Sequence, residues 1–333
     1  MLTVGQECPP LIDIIDSDWV SGIRAMTFTA NGECVVGGGG GQVGVWRMED
    51  GKRMATMVAP DVRSLAVSKD GRWIAAGTYS GYVFVWDAKT FGKVFFAKPF
   101  RQLLGVDFSP DSTRLVTAST PSSVWDVAAR KQVLTLDHEG WVIAAKYSLQ
   151  GNRIATATRE SIRVWDSNDG RVLVDIPVKV TPLFNNGLLW SDNHLLVVSD
   201  STIKEFEAST GSTVSEWSVP NTDDTSCIAL QQHGGTIACS TNNTVAFWDT
   251  STHARLGLIQ HPQVIYSIAL SPDDRFLVIG GNSGKITIRS LYRITVSIVC
   301  FWIMADLNNF LVRSSFQTAF NPVVLSTSHF PGT

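Results

Sequence analysis

Charge is scarce in this chain and nowhere concentrated. Only 17% of its 333 residues are Asp, Glu, Lys or Arg, and 27 basic residues against 30 acidic ones leave a formal charge of −3. No Lys/Arg block occurs, so the footprint of a nucleic-acid-binding surface is missing, and an anionic membrane is no better a match. Cysteine is equally thin: Cys8, Cys34, Cys227, Cys239 and Cys300 are an odd, scattered set with no C-x-x-C pair. That pattern suits reduced thiols in the cytoplasm or nucleus rather than a disulfide framework. Cys227 and Cys239 fall on strands that can set them face to face, and buried free thiols are expected there ahead of a disulfide. The sequon at Asn242 to Thr244 has meaning only in a secreted chain. The start, MLTVGQECPP, lacks the charged and apolar regions of a secretory signal. The apolar run ITVSIVCFWIMA at 294–305 is too short for a membrane span of about 20 residues.

The usual signatures of chemistry are missing as well. The six histidines (138, 194, 233, 253, 261 and 329) form no H-x-H, no H-E-x-x-H and no Cys-partnered spacing, so no metal site is expected. The glycine run at 37–41 is followed by no Lys-Ser/Thr and opens no helix. It aligns without gaps on GTYSG at 77–81 and reads as a hairpin turn exploiting glycine's freedom. No serine stands in a G-x-S-x-G elbow. The pairs Asp223-Asp224 and Asp273-Asp274 fall in loops, where acids cap turns or stay solvated. No catalytic residue and no cofactor is expected.

What the chain does have is apolar residues, 44% of the total, enough for a sizeable core, and a repeat. Blocks ending in VGVW, VFVW, SSVW, IRVW, IKEF, VAFW and ITIR close at Trp46, Trp86, Trp125, Trp165, Phe206, Trp248 and Arg289. The spacings are 40, 39, 40, 41, 42 and 41 residues. A strand-patterned period of about 40–45 residues is the signature of propeller blades. Each block resolves into four short strands, for example LGVDF, RLVTAS, SSVWDV and KQVLTL, joined by turns such as SPDS. The expected fold is therefore all-β, a seven-bladed propeller of four-stranded antiparallel blades. A four-stranded sheet cannot bury both faces alone, so blades lean on one another and a large aromatic fills the wedge. Trp46, Trp86, Trp125, Trp165, Phe206 and Trp248 are read as inter-blade packing.

The Trp-Asp closers VWD at 85–87, 124–126 and 164–166 and FWD at 247–249, with FSPD at 108–111 and LSPD at 270–273, resemble the WD-repeat β-propeller family over roughly residues 11–291. The resemblance implies a His–Asp–Ser/Thr–Trp hydrogen-bonded network in each well-formed repeat. Here it is mostly eroded: only His138 and His261 fall at the His position, Trp19 stands there in the first block, and Arg289 replaces the seventh Trp. It also implies closure of the ring by a terminal strand. LIDIID at 11–16 aligns with the outer strand QVLTLD and is expected to pair onto the seventh blade. The expected organisation is an N-terminal segment 1–10, a propeller 11–291 and an atypical tail 292–333.

The resemblance places binding on the rim where loops enter each blade's first strand. Carried over by alignment, the rim candidates are Trp19, Arg24, Arg63, Gln102, Trp141, Asp224 and Tyr266, rich in the Trp, Tyr and Arg typical of hot spots. The implied function is a non-catalytic scaffold, monomeric outside its complex, that holds a protein or peptide partner, with no nucleic acid and no integral membrane segment. Two rivals differ in class. A propeller enzyme of lactonase or quinoprotein type would need clustered acids at the channel mouth, and the aligned rim shows none. A peripheral membrane protein would depend on the tail.

Overall fold

The structure, a computed structural model, describes residues 12–14, 22–98, 102–181, 187–199, 202–219 and 225–291. Trp19, Asp224, the segment 1–10 and the tail 292–333 lie outside the described residues. Among the described residues there is no helix, and 28 strands form seven four-stranded antiparallel sheets. Blades 1 to 6 take four consecutive strands each, over 23–58, 62–97, 105–136, 144–177, 188–218 and 225–260. The seventh takes three from 265–290. Inner strands of successive blades are neighbours, and that of blade 7 (Ile265–Leu270) returns beside that of blade 1 (Ile23–Phe28), so the ring closes. The fourth strand of blade 7 is Ile12–Ile14, with Ile12 opposite Ile288 and Ile14 opposite Ile286, as the alignment of LIDIID anticipates.

Burial follows position in the blade. The second strand Trp73–Thr78 is buried at every residue because both faces of its sheet are covered by neighbours. The outer strand Val172–Pro177 buries fully only Ile176. Trp46, Trp86, Trp125, Trp165, Phe206 and Trp248 are all under 9% exposed, and each belongs to an apolar cluster shared with the adjoining blade. Trp86 of blade 2 lies with Val36, Val45 and Met57 of blade 1, and Trp165 of blade 4 with Val116, Val124 and Leu136 of blade 3. In blades 1 to 6 the ladder to the outer strand slips by one residue at the closer, as between Val164 and Trp165. Such a bulge sharpens the local twist and re-aims the side chain there. Arg289, at the seventh closer, is 7% exposed.

Two sequence expectations change. The glycine run is only partly a turn: Gly37–Gly39 complete the strand Cys34–Gly39, and only Gly40 and Gly41 have positive φ. Close approach explains the rest, since an added Cβ at Gly38 would fall on Val62 of blade 2 and one at Gly39 on the Gly22 carbonyl. Cys227 and Cys239 do not oppose each other. A bulge between Thr225 and Cys227 sets Cys227 against Ser240 and Cys239 against Ile228. Both thiols are free and buried, and burial pushes Cys227 up to about 12.

Polar order survives in places. His138 Nε2 lies 2.5 Å from Thr156 Oγ1, which also accepts the Trp165 indole N–H at 2.6 Å, so blade 4 keeps three members of the network. Asp273 caps its turn, accepting from the Ser271 hydroxyl at 2.6 Å and from the Arg275 N–H at 3.2 Å. Asp274 instead reaches blade 6, where it accepts from the Gln232 N–H at 2.9 Å and pairs with His233 at 3.0 Å.

Candidate functional site

Every inner strand runs from the entry loops toward the first turn of its blade, so the ring has two distinct faces. On the face of the first turns a cavity of about 720 Å³ opens between all seven inner strands, with Phe28, Asp107, Tyr147, Trp190 and Leu230 in its wall. Asp107 pairs with Lys146 at 3.3 Å and accepts the Tyr147 N–H at 2.9 Å. Burial still holds its carboxyl above the usual range, against Lys146 and that N–H. Asp274 in the same wall is likewise partnered, by His233 at 3.0 Å.

The entry face carries the sequence candidates, at two positions rather than one. Arg24, Arg63 and Tyr266 are equivalent: each is the second residue of its inner strand and is skipped by the ladder, between Ile23 and Ala25, Val62 and Ser64, and Ile265 and Ser267. A bulged residue is released from pairing and projects where its neighbours do not. Gln102 and Trp141 lie two residues earlier in their repeats, in the entry loops.

Gln102 and Trp141 meet in a groove of about 930 Å³, together with Ser80, Lys98, Leu104, Thr120 and Val142. Trp141 is 67% exposed, far more than any other tryptophan among the described residues. Its loop is held from beneath: the Thr120 hydroxyl donates to the Gly140 carbonyl at 3.1 Å and accepts the Val142 N–H at 3.4 Å. Gly140 has φ +107°, which a side chain would oppose. The groove thus offers one exposed indole, an apolar floor, one ammonium and several neutral polar groups.

Beside the groove, Arg63 lies over the ring of Tyr79 at 4.8 Å and Arg24 over that of Tyr266 at 5.2 Å. Tyr79 is placed by its N–H, which donates to the Asp61 carbonyl at 2.9 Å. Tyr266 needs Gly22, where a Cβ would stand 2.8 Å from its Cε2. Burial, then the charge of Arg24, pull the Arg63 guanidinium below its ordinary pKa. Tyr79, Lys98 and Leu104 were not among the sequence candidates. Tyr79 belongs to a turn between second and third strands, which an alignment centred on entry loops does not sample. Among the described residues no three His, Cys, Asp or Glu gather as a metal site would require.

Comparison with known proteins agrees with this architecture. The family model for "WD domain, G-beta repeat" matches residues 51–87 and 255–289. Each match takes the outer strand of one blade and the first three of the next, the unit that a closing terminal strand implies. A WD repeat-containing protein of Deinococcus radiodurans is 37% identical over 108 residues, 27% of this chain and 41% of that one. The serine-threonine kinase receptor-associated protein of Gallus gallus is 24% identical over 55% of this chain and 53% of its own. The U3 small nucleolar RNA-associated protein 15 homolog of Xenopus laevis is 24% identical over 66% and 44%. The chain thus spans about half the length, or less, of these relatives. The solved structure of U3-55K superposes with a TM-score of 0.75 at 17% identity, covering 86% of this chain and all of that one. With seven four-stranded blades and a terminal strand closing the last, the chain is a seven-bladed β-propeller that carries matches to the WD-domain repeat over 51–87 and 255–289.

Proposed function

We propose that the chain is a non-catalytic scaffold that docks a segment of a partner protein in the entry-face groove of blades 2 to 4, with Trp141 as the anchor. The observation that carries this reading is the exposure of Trp141 above a groove floored by Leu104 and Val142. A large aromatic held out in water by a pinned loop contributes little to folding, while such residues dominate the energetics of interfaces. Names among the relatives, a kinase receptor-associated protein and a U3 small nucleolar RNA-associated protein, are those of proteins that work with others. They favour a place in a protein or ribonucleoprotein assembly, and the second favours the nucleus at least as much as the cytoplasm. Rim residues Arg24, Arg63, Gln102 and Tyr266 contribute polar and stacking contacts around the anchor.

Affinity purification with mass spectrometry tests the reading, comparing the wild type with Trp141→Ala and with Gln102→Ala. The expected outcome is a partner set lost or cut about tenfold or more by Trp141→Ala, since anchors are worth ≥ 2 kcal/mol. Melting temperature should be unchanged. An identical partner set for Trp141→Ala would remove the groove from consideration.

A further inference from the structure

Among the described residues Arg47, Lys146, Arg163, Lys204, Arg275 and Lys285 each have a carboxylate within 4 Å. Arg24 and Arg63 have none among the described residues. Each instead stacks on a tyrosine, Tyr266 at 5.2 Å and Tyr79 at 4.8 Å. The Nε of Arg63 is buried without an acceptor. Blades 7, 1 and 2 are successive in the ring, so Tyr266, Arg24, Arg63 and Tyr79 form one arc along the channel mouth. Tyr79 adjoins Ser80, which lines the Trp141 groove, so arc and groove are continuous through one turn.

The two guanidiniums repel each other, with Asp61 opposing that repulsion only in part, and one has a buried donor unmet, which costs the free protein stability. Such an arrangement is relieved by an anion. Guanidinium donors bind carboxylate or phosphate in a planar, charge-assisted geometry, and stacking on tyrosine fixes the guanidinium plane in advance. Two cations in a protein of net charge −3 are too few for a polynucleotide, whose binding rests on many phosphate contacts.

We propose that Arg24 and Arg63 form an anion clamp that receives an acidic side chain of the docked partner segment, so that the face selects a peptide with an acidic group next to an apolar residue seated at Trp141. The inference rests on the docking reading and adds the chemistry of its partner. The acidic group is a carboxylate or a phosphorylated side chain, both presenting the same anionic oxygens.

The test is selection of a displayed random peptide library on the full chain, followed by affinity measurement of the selected peptides on Arg24→Gln, Arg63→Gln and Trp141→Ala. The expected result is enrichment of Asp or Glu near an apolar residue. Each arginine substitution should weaken binding about tenfold or more, as loss of a hydrogen bond to a charged group does. Arg63→Gln should also leave the melting temperature equal or higher, since it removes a repulsion; a merely structural arginine would lower it. Replacing the selected acid by phosphoserine identifies the source of the anion: tighter binding indicates phosphate, weaker binding carboxylate. Peptides that need Trp141 but carry no acid, or bind both arginine variants normally, would overturn the clamp and leave the docking groove standing. The absence of any Trp141-dependent peptide would overturn both. Tighter binding of a single-stranded RNA through the same two arginines would replace the peptide by a nucleic acid.

Discussion

Burial holds the His138 imidazole at a pKa of about 4, below the ordinary 6.5, with Arg163 pushing the same way and Asp175 opposing. The ring is therefore neutral in the folded protein, free to accept from Thr156 while Thr156 accepts from Trp165. A His with a depressed folded value stabilises the fold fully above pH 6.5. The unfolded chain takes up the proton first as pH falls, so that contribution is lost between pH 6.5 and about 4. The two values bound the loss at about 3 kcal/mol. His261 is shifted the same way, chiefly by burial, and adds to the slope. Urea denaturation from pH 7 to 4 should show stability falling for the wild type and falling less steeply for His138→Gln. Parallel pH profiles for the two proteins would mean that the imidazole is not held neutral.

At the scale of the strand, the inner ring is stitched by one recurring hydrogen bond. Ser64 Oγ accepts the Val106 N–H at 3.0 Å, Ser267 Oγ accepts that of Met26 at 2.9 Å, and Cys227 Sγ accepts that of Ile268 at 3.1 Å. In each case the residue after the bulge satisfies an inner-strand N–H of the next blade. Ser64→Ala leaves the Val106 N–H buried without an acceptor and is expected to cost about 1–3 kcal/mol. Ser64→Cys should recover part of it, because Cys227 already performs this role. Chemical denaturation of the three proteins is the check, and an alanine variant as stable as the wild type would show the stitch to be idle. None of this was legible in the sequence, although the blades were. A period fixed by Trp46, Trp86, Trp125, Trp165 and Trp248 reports strands and wedges, because apolar burial leaves its pattern on one chain segment. Bulges and stitches depend on which residues of different blades come level. The same limit explains the candidate site. Arg24, Arg63 and Tyr266 were reached by alignment. The stacking of Arg63 on Tyr79 was not, and Gly38 read as a turn because the Val62 side chain that excludes a Cβ comes from another blade.

At the scale of the whole ring, stability depends on closure, since an open circle would expose the edge of Ile286–Ser290. Three residues close it. Asp13 lies 2.6 Å from Lys285 and accepts the Thr287 hydroxyl at 3.0 Å, while Ile14 is buried with Trp46, Ile286 and Ile288. Gly51 of blade 1 lets the strand pass, its missing side chain leaving room for Ile14 and Ile12. The polar and apolar parts differ in weight. The Asp13–Lys285 pair is partly exposed, so Asp13→Asn is expected to cost under about 1 kcal/mol. Removing residues 1–14 strips the ladder and the buried Ile14 together, a loss on the order of 5 kcal/mol. The shortened protein should therefore melt far lower than Asp13→Asn. It should also associate with rising concentration on size-exclusion chromatography, as chains pair through the uncovered edge. If the two variants melted alike and both stayed monomeric, the covered edge would contribute nothing beyond its ion pair, and the ring would be held by the packing between its blades alone.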